Sequence, residues 1–463
     1  MKTSIVMLTY NQLELTQQCL TSLSLHTDMK ETELIIIDNG STDGTREFLQ
    51  KDDRIRLVLN ELNVGFAKGC NQGIDLATGD EIVFLNNDTI LTENWLTSMQ
   101  NAMNSDKSIG MVGPMSNYVS GSQLIENPYT SLEQLPDYAK KRAKEFKGQL
   151  RFVLRLVGFC LLVKRDVIEK IGPFDERYAV GSFEDDDFCL RGVLNGFKLA
   201  IALDAHVHHH GHATFTGSPE INFNQIYWEN RARFTEKWRT DVMYFMHPRP
   251  ELVNLVPKDA KQVLDIGCGA GASGLELINR QGCRLTGIEG NPEMAHIAKT
   301  YYEDVLVINL DDEKPEFEPN SFDTLLFADV LEHLKDPWAI VQHYSTFLKP
   351  GGSIIASIPN ITHAEALLPM LMGRFDYADA GILDRTHLRF FTPQTILTLF
   401  PENQFTVRQQ FSTNIPIPAA TRTFFYEVSL LGKKFGFDLS RLGDDVNVYQ
   451  SIIRSRSANL SVK

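Results

Sequence analysis

Several features that would mark other kinds of protein are missing from this 463-residue chain. It has no CxxC pair; its six cysteines (Cys19, Cys70, Cys160, Cys189, Cys268, Cys283) are scattered, most of them inside apolar runs. They read as small core residues in a reducing cytoplasm. There is no long apolar run. The longest, "LVGFCLLV" (156–163), is too short to span a bilayer and is expected to be a buried strand. The opening MKTSIVMLTYN lacks the apolar region of a signal peptide. Basic charge is also short. With 45 Lys and Arg against 59 Asp and Glu, the net charge is -14. A face that neutralises phosphates along a nucleic acid is therefore not expected. A local nucleotide site is not excluded, because it needs only a few groups.

What is present is a soluble composition, 43% hydrophobic and 22% charged, over a length too great for one core. The first third alternates β-runs with helical spacing: "TSIVMLTY" (3–10), "ELIIID" (33–38), "RIRLVLN" (54–60) and "EIVFLNND" (81–88). Asn11 with Glu14 reads as a capping box that opens the first helix. The rhythm implies a mainly parallel sheet, continued by "GFCLLVKRDVIEKIG" (158–172) and "FKLAIALDAHVHHH" (197–210). A second strand–helix series starts at "QVLDIGCGAG" (262–271) and runs through "CRLTGIE", "DVLVINL", "FDTLLFA" and "GSIIASIPN". "DVNVYQSIIRSRS" is expected to add a last antiparallel strand. Prolines and charges interrupt the pattern between. The expected division is an α/β domain at 1–245, a linker at 246–260 and a second α/β domain at 261–463.

Four loops of the first domain follow four strands: "TYN" (9–11), "DNGSTDGT" (38–45), "NVGFAKGCNQG" (63–73) and "NND" (86–88). Ligands of an open parallel sheet bind at the carboxyl ends of its strands, so all four can line one crevice. Thr9, Asn11, Asp38, Asn63, Gly65, Asn71 and Asn87 are the candidate contacts there. Asp38 ends an apolar strand and could accept from a ribose or base. The glycines at 65, 69 and 73 allow close backbone approach.

These motifs resemble the family 2 glycosyltransferases, in particular the rhamnosyltransferase-like branch, which have the GT-A nucleotide-sugar-binding fold. The resemblance covers roughly 1–240. It implies a nucleotide-diphosphate sugar as donor and Mn²⁺ or Mg²⁺ as cofactor. Asn86-Asn87-Asp88 takes the place of the family's Asp-x-Asp motif, with Asp88 on the cation; read by itself, Asp88 could equally be a turn or helix cap. "SFEDDDFCLRG" (182–192) is similar to the family's ED-x-D motif. That makes Asp185 the base for inverting transfer, with Glu184 and Asp187 orienting acceptor or helix; acids at a helix start also suit its dipole. In "HVHHHGH" (206–212), alternation along a strand prevents one ion from using every ring. The resemblance implies His208 as the metal-side histidine, with His210 next. The basic stretch "KKRAKEFKGQLRFVLR" (140–155) is either a solvated helix or a flap toward an anionic acceptor or the inner membrane leaflet.

In the second domain, "VLDIGCGAGASG" contains both G-x-G-x-G and G-x-G-x-x-G, which does not decide between cofactors. Glu289 ends the next strand and would accept from ribose hydroxyls in either case. "FDTLLFADVLEHLKDP" and "FLKPGGSIIASIPN" resemble class I S-adenosylmethionine-dependent methyltransferases, a Rossmann-like fold. "GILDRTHLRFFT" (381–392) resembles a segment of methyltransferases from bacterial surface-glycan clusters. The resemblance covers roughly 255–410. It implies that Asp265, Gly267, Gly269 and Gly271 cradle the cofactor and that Glu289 holds its ribose. Asp311 would receive the adenine amine, and Asp329 would sit beside the methyl. His333 and His387 are nominated as bases.

The expectation is a bifunctional cytoplasmic enzyme, at most peripheral to the membrane. It would add a sugar to a glycan or glycoprotein and methylate it with S-adenosylmethionine. The alternatives are a methyltransferase-like domain that only binds acceptor, or an NAD-dependent one.

Overall fold

The computed structural model describes residues 2–178, 180–211, 222–238, 248–401 and 404–457. The chain forms two compact units, Met1–Met246 and His247–Lys463. Both are α/β, as expected.

The first unit is built on a nine-stranded sheet of order β3-β2-β1-β4-β8-β6-β9-β5, with β7 also paired to β9. The strands are β1 (Thr3–Thr9), β2 (Thr32–Asp38), β3 (Ile55–Leu59), β4 (Glu81–Asn86), β5 (Thr89–Leu91), β6 (Ile109–Met115), β7 (Leu150–Val153), β8 (Cys160–Lys164) and β9 (Lys198–His209). β1 to β4 are mutually parallel, as the alternation predicts. Beyond β4 the sheet is mixed, which corrects the mainly parallel expectation. β8 runs antiparallel to β4 and β6, and β9 runs antiparallel to β5 and β7. The link is long-range in sequence. The Asn86 N–H, at the end of β4, donates to the Phe159 carbonyl (2.8 Å), so β8 starts where β4 stops and must run back.

Ile5, Met7, Ile36, Val83 and Leu85 are buried in one core on this sheet. The helix Phe66–Leu76 is seated on β1 by its glycines. A Cβ on Gly73 would lie 2.2 Å from Val6 Cγ1, and one on Gly69 would lie 2.8 Å from Leu8 Cδ2. These two glycines thus serve helix–strand packing rather than ligand approach. The capping box is also corrected. Gln12 precedes the helix Leu13–His26 in a left-handed conformation and gives no side-chain cap. The Leu13 N–H donates instead to Asp43 Oδ2 (2.9 Å), on the loop after β2.

The second unit has a seven-stranded sheet of order β12-β11-β10-β13-β14-β16-β15. Its strands are β10 (Gln262–Ile266), β11 (Arg284–Glu289), β12 (Asp304–Val307), β13 (Phe322–Ala328), β14 (Leu348–Pro359), β15 (Phe405–Asn414) and β16 (Val448–Ser457). The first five in the sheet are parallel. β16 inserts antiparallel between β14 and β15, where the last strand was expected. Leu252, Val253, Val256 and Ala260 are buried with Leu277 and Leu285. Residues 250–260 therefore belong to the core of this unit and are not a linker; 246 and 247 lie outside the described residues.

Gly73→Ala is expected to destabilise the first unit by about 1–3 kcal/mol through overpacking, with partial recovery in Gly73→Ala/Val6→Ala. Denaturant midpoints of the three chains check this; an unchanged midpoint in the single variant contradicts it.

Candidate functional sites

At the carboxyl ends of β1 and β2, Asp38 organises its own loop. It is fully buried. It accepts from Thr9 Oγ1 (3.0 Å) and from the Gly40 and Ser41 N–H groups (3.2 and 3.0 Å). Arg46 Nε lies 3.2 Å away. Asn11 ties this loop to the first. Its N–H donates to Ser41 Oγ (2.7 Å), and its Oδ1 accepts from the Thr42 N–H (2.8 Å). Asp38 and Thr9 thus shape the crevice wall, and Asp38 reaches a ligand only by releasing a partner. Asn63 Oδ1 accepts from the Gly65 N–H (2.9 Å), and Gly65, at φ 86°, opens the next helix. Asn71 was expected on the ligand. Both ends of its amide are used on the backbone of Phe174, and it also donates to Glu176. Asn87 is likewise buried and donates to Thr16 Oγ1 (2.9 Å). Both amides brace loops.

Glu184, Asp185, Asp186 and Asp187 form the first turn of the helix Glu184–Leu194, and all four are buried. The chain enters it under strain: Val180, Ser182 and Phe183 have φ of 68°, 83° and 72°. Such values are costly for non-glycine residues and concentrate at functional sites. The four acids differ in their partners. Asp186 is paired with Arg155, which also donates to Ser120 Oγ (2.7 Å). Asp187 meets Arg191 Nε (2.8 Å), Lys237 Nζ (2.5 Å) and Trp238 Nε1 (3.0 Å). It anchors the helix Phe223–Trp238 and is not free to orient an acceptor. Among the described residues Asp185 accepts from backbone donors alone, the Gly158 N–H (3.0 Å) and the Asp186 N–H (2.9 Å). Burial, then repulsion from Asp186, push its carboxyl up to about 6, with Arg155 opposing. Glu184 Oε2 is buried, with no hydrogen-bond partner among the described residues. Burial and Asp185 hold this carboxyl well above its usual range.

Asp88 lies on the turn between β4 and β5. β5 pairs with β9 in the register Thr89↔His209, and the His210 N–H donates to the Asp88 carbonyl (3.0 Å). The ring that faces the carboxylate is that of His209, with Nε2 3.2 Å from Asp88 Oδ1. The expected His208 turns to the Tyr129 hydroxyl instead (2.6 Å), and His210 Nε2 contacts Gln18 Oε1 (2.9 Å). His212 lies outside the described residues. His209 Nδ1 sits 2.8 Å from the Tyr118 carbonyl, so this nitrogen carries the proton. In the neutral ring, a lone pair at Nε2 then faces a carboxylate oxygen. Among the described residues that buried oxygen has no hydrogen-bond partner. Either a proton or a cation must lie between them, and the pair fits a divalent ion with oxygen and imidazole ligands. Against the cost of burial, His209 holds the Asp88 carboxyl below its usual range.

In the second unit, Gly267, Gly269 and Gly271 have φ of 71°, 55° and 82°. Side chains avoid this region, so the loop between β10 and the helix Ala272–Gln281 depends on them. The Gly269 N–H donates to Glu289 Oε2 and the Asn291 N–H to Glu289 Oε1, both at 2.8 Å. A carboxylate has about four acceptor positions. Glu289 can therefore hold the loop and still take ribose hydroxyls. The open glycine loop with this acceptor fits a nucleoside cofactor. Asp265 departs from expectation. It is buried and accepts from the Tyr302 hydroxyl (2.7 Å), so it supports the loop from beneath rather than cradling a ligand. Burial pushes its carboxyl up to about 7. Asp311 Oδ1 accepts from the Lys335 N–H (2.9 Å). Asp329, at the end of β13 with φ 55°, is paired with Arg249 and accepts from Ser357 Oγ (2.7 Å) and Gln450 Nε2 (3.1 Å). His333 and His387 come together, with ring centroids 4.7 Å apart.

The family model for glycosyl transferase family 2 matches residues 4–172, and that for a methyltransferase domain matches 227–410. Glycosyltransferase AglE of Haloferax volcanii is 27% identical over 206 residues, 43% of this chain and 64% of that protein. The ubiquinone biosynthesis O-methyltransferase of Xanthomonas euvesicatoria pv. vesicatoria is 35% identical over 169 residues, 34% of this chain and 70% of that protein. A crystal structure of GalNAc-T7 with UDP, GalNAc and Mn²⁺ aligns at 16% identity over 45% of this chain and 43% of that one, with a TM-score of 0.37. The chain joins a family 2 glycosyl transferase domain to a methyltransferase domain. The glycosyl transferase match stops at 172, short of the acidic run and the histidine strand.

Sequence reasoning missed His209, Arg155 and Gly158. The family resemblance pointed to His208, with His210 next on the same face, but the register of β5 on β9 brings His209 to Asp88. Nothing local to 206–212 encodes that pairing.

Asp265 ionises above about 3.8 in the unfolded chain and near 7 when folded. The folded state holds the extra proton between, so stability of the methyltransferase domain falls as pH rises through this window and levels above it. Asp265→Asn should flatten that fall. Thermal midpoints at pH 5, 6 and 8 measure it; parallel profiles for the two chains contradict it.

Proposed function

We propose that the chain is a bifunctional transferase. The first domain moves a sugar, with inversion, from a nucleotide-diphosphate donor to a hydroxyl of a glycan or glycoprotein. The second methylates an oxygen of the added sugar with S-adenosylmethionine, in the building of a bacterial surface glycan. The observation that carries the first half is the contrast within the acidic run. Asp186 and Asp187 are neutralised by cations, whereas Asp185 keeps an ionisable carboxylate poised near neutrality, as a general base requires.

Asp185 takes the acceptor proton as the hydroxyl oxygen attacks the anomeric carbon and the diphosphate leaves. Gly158 and the Asp186 N–H hold its two oxygens in place. Mn²⁺ or Mg²⁺, held by Asp88 with His209 facing it, would offset charge developing on the diphosphate. The loops braced by Asn11, Asp38, Asn63 and Asn87 line the donor crevice.

In the second domain, Gly267, Gly269, Gly271 and Glu289 would hold S-adenosylmethionine, which supplies an activated methyl. Asp311 and Asp329 flank that crevice. The resemblance to an O-methyltransferase supports an oxygen acceptor. Joining the domains raises the effective concentration of one product at the other site. No described helix is long and apolar enough to cross a membrane. We place the enzyme in the cytoplasm, with the basic helix Leu135–Glu145 available for peripheral contact.

A screen of nucleotide sugars for nucleoside diphosphate release with Mn²⁺ or Mg²⁺ should find one donor. Asp88→Ala should abolish its turnover. Asp185→Asn should lower kcat by about 10²–10⁴, and wild-type kcat/KM should fall below about pH 6 as Asp185 is protonated. Full activity in Asp88→Ala means that Asp88 is only a turn residue; an unchanged rate in Asp185→Asn removes it as the base.

A further inference from the structure

The segment "GILDRTHLRFFT" remains without a role in the cofactor loop. The structure docks it on the short helix Leu331–His333, just after β13. The Leu388 and Arg389 N–H groups both donate to the Glu332 carbonyl (2.8 and 3.0 Å). This brings His387 to Glu332 and His333, and one ligand atom from each of the three lies within 4.8 Å of the other two. The cluster is next to the glycine loop: a Cβ on Gly267 would lie 2.8 Å from a methyl of Val330.

Three details indicate what this cluster is for. Glu332 is 1% exposed, yet among the described residues neither carboxylate oxygen has a hydrogen-bond partner. An unpaired buried carboxylate is expensive unless a cation meets it. His387 Nδ1 lies 3.0 Å from the Ile382 carbonyl, so Nδ1 carries the proton and Nε2 a lone pair. His333 Nδ1 lies 3.1 Å from Thr386 Oγ1. That hydroxyl donates to Asp384 Oδ1 (2.6 Å), so it must accept from His333. Its proton too is on Nδ1, leaving Nε2 as the ligand atom. Outer partners that fix the tautomer in this way are characteristic of metal-bound imidazoles.

We propose that Glu332, His333 and His387 bind a divalent first-row transition metal, with open positions for hydroxyl oxygens of the methyl acceptor. Two imidazoles and one carboxylate favour such an ion over Mg²⁺ or Ca²⁺. Bonds of about 2.0–2.2 Å place ligand atoms roughly 3–4 Å apart, within reach of small side-chain rotations. The site rests on the methyltransferase reading only for its use. There, a sugar hydroxyl bound to the ion loses its proton to solvent. Its oxygen forms the new bond to the methyl carbon as the carbon–sulfur bond of the sulfonium breaks, releasing S-adenosylhomocysteine.

The test is Co²⁺ binding to the full chain carrying Asp88→Ala, which removes the first domain's carboxylate ligand. One equivalent should bind with a visible ligand-field band. Adding Glu332→Gln or His387→Ala should weaken binding at least about 100-fold, and Thr386→Val, which spares the ligands, about 10-fold. S-adenosylmethionine binding by each variant reports that the domain is folded. As a variant-free check, Co²⁺ or Zn²⁺, but not Mg²⁺, should raise the unfolding midpoint of the methyltransferase domain. No Co²⁺ binding by the Asp88→Ala chain, or equal binding with and without Glu332 and His387, overturns the site. Methyl transfer that proceeds undiminished in a chelator overturns its use while leaving the methyltransferase reading intact. Metal binding without methyl transfer to any glycan does the reverse.

Discussion

The glycosyl transferase domain depends on how one run of buried acids is neutralised. Four consecutive carboxylates leave water together at the start of the helix Glu184–Leu194. Buried charges persist only when paired or well hydrogen-bonded. Arg155 meets Asp186; Arg191 and Lys237 meet Asp187. These pairs pin the helix from both sides and recruit the helix Phe223–Trp238. Among the described residues that leaves Asp185 on backbone N–H groups alone and Glu184 with an oxygen unpaired. Positioning comes from the short segment Val157-Gly158-Phe159. Its glycine N–H holds Asp185, its phenylalanine carbonyl holds the end of β4, and the Phe159 ring stacks on His209 at 4.9 Å. One stretch of backbone thus sets Asp185, the Asp88 turn and His209 in register.

The methyltransferase domain uses the opposite device. Its loop is shaped by three left-handed glycines and by a carboxylate, Glu289, that accepts two backbone N–H groups and keeps capacity for more. Asp265 and Asp329 are engaged, one by Tyr302 and the other by Arg249, Ser357 and Gln450. Among the described residues Glu332 has both carboxylate oxygens buried and unpaired.

Strands and motifs were legible because they are local. Apolar runs located twelve of the sixteen described strands and missed β5, β6, β7 and β15; of the stretch 63–73 read as a loop, residues from Phe66 onward are helix. The antiparallel half of the first sheet was not legible, because the direction of β8 is set by a long-range bond between Asn86 and Phe159. The same limit applies to side chains. Asp88 lies on the turn after β4, Asp185 in the first turn of its helix and Glu289 at the end of β11. Asn71 and Asn87 belong to motifs too, yet their amides were captured by backbone and hydroxyl partners distant in sequence. The tie between His209 and Asp88 follows from sheet register, which no window of seven residues encodes. Residues 250–260 looked like a linker because of their prolines, but their apolar residues fill a core.

Sequential action on one molecule is the central claim, and it has a direct measurement. An extract lacking this chain is supplied with methyl-labelled S-adenosylmethionine and either the wild-type chain or Asp185→Asn. Label in the glycan fraction is then counted. If the methyl acceptor is the sugar that the first domain adds, label should appear with the wild type and be lost with Asp185→Asn, although the methyltransferase domain is untouched. Equal labelling by the two chains would contradict the account.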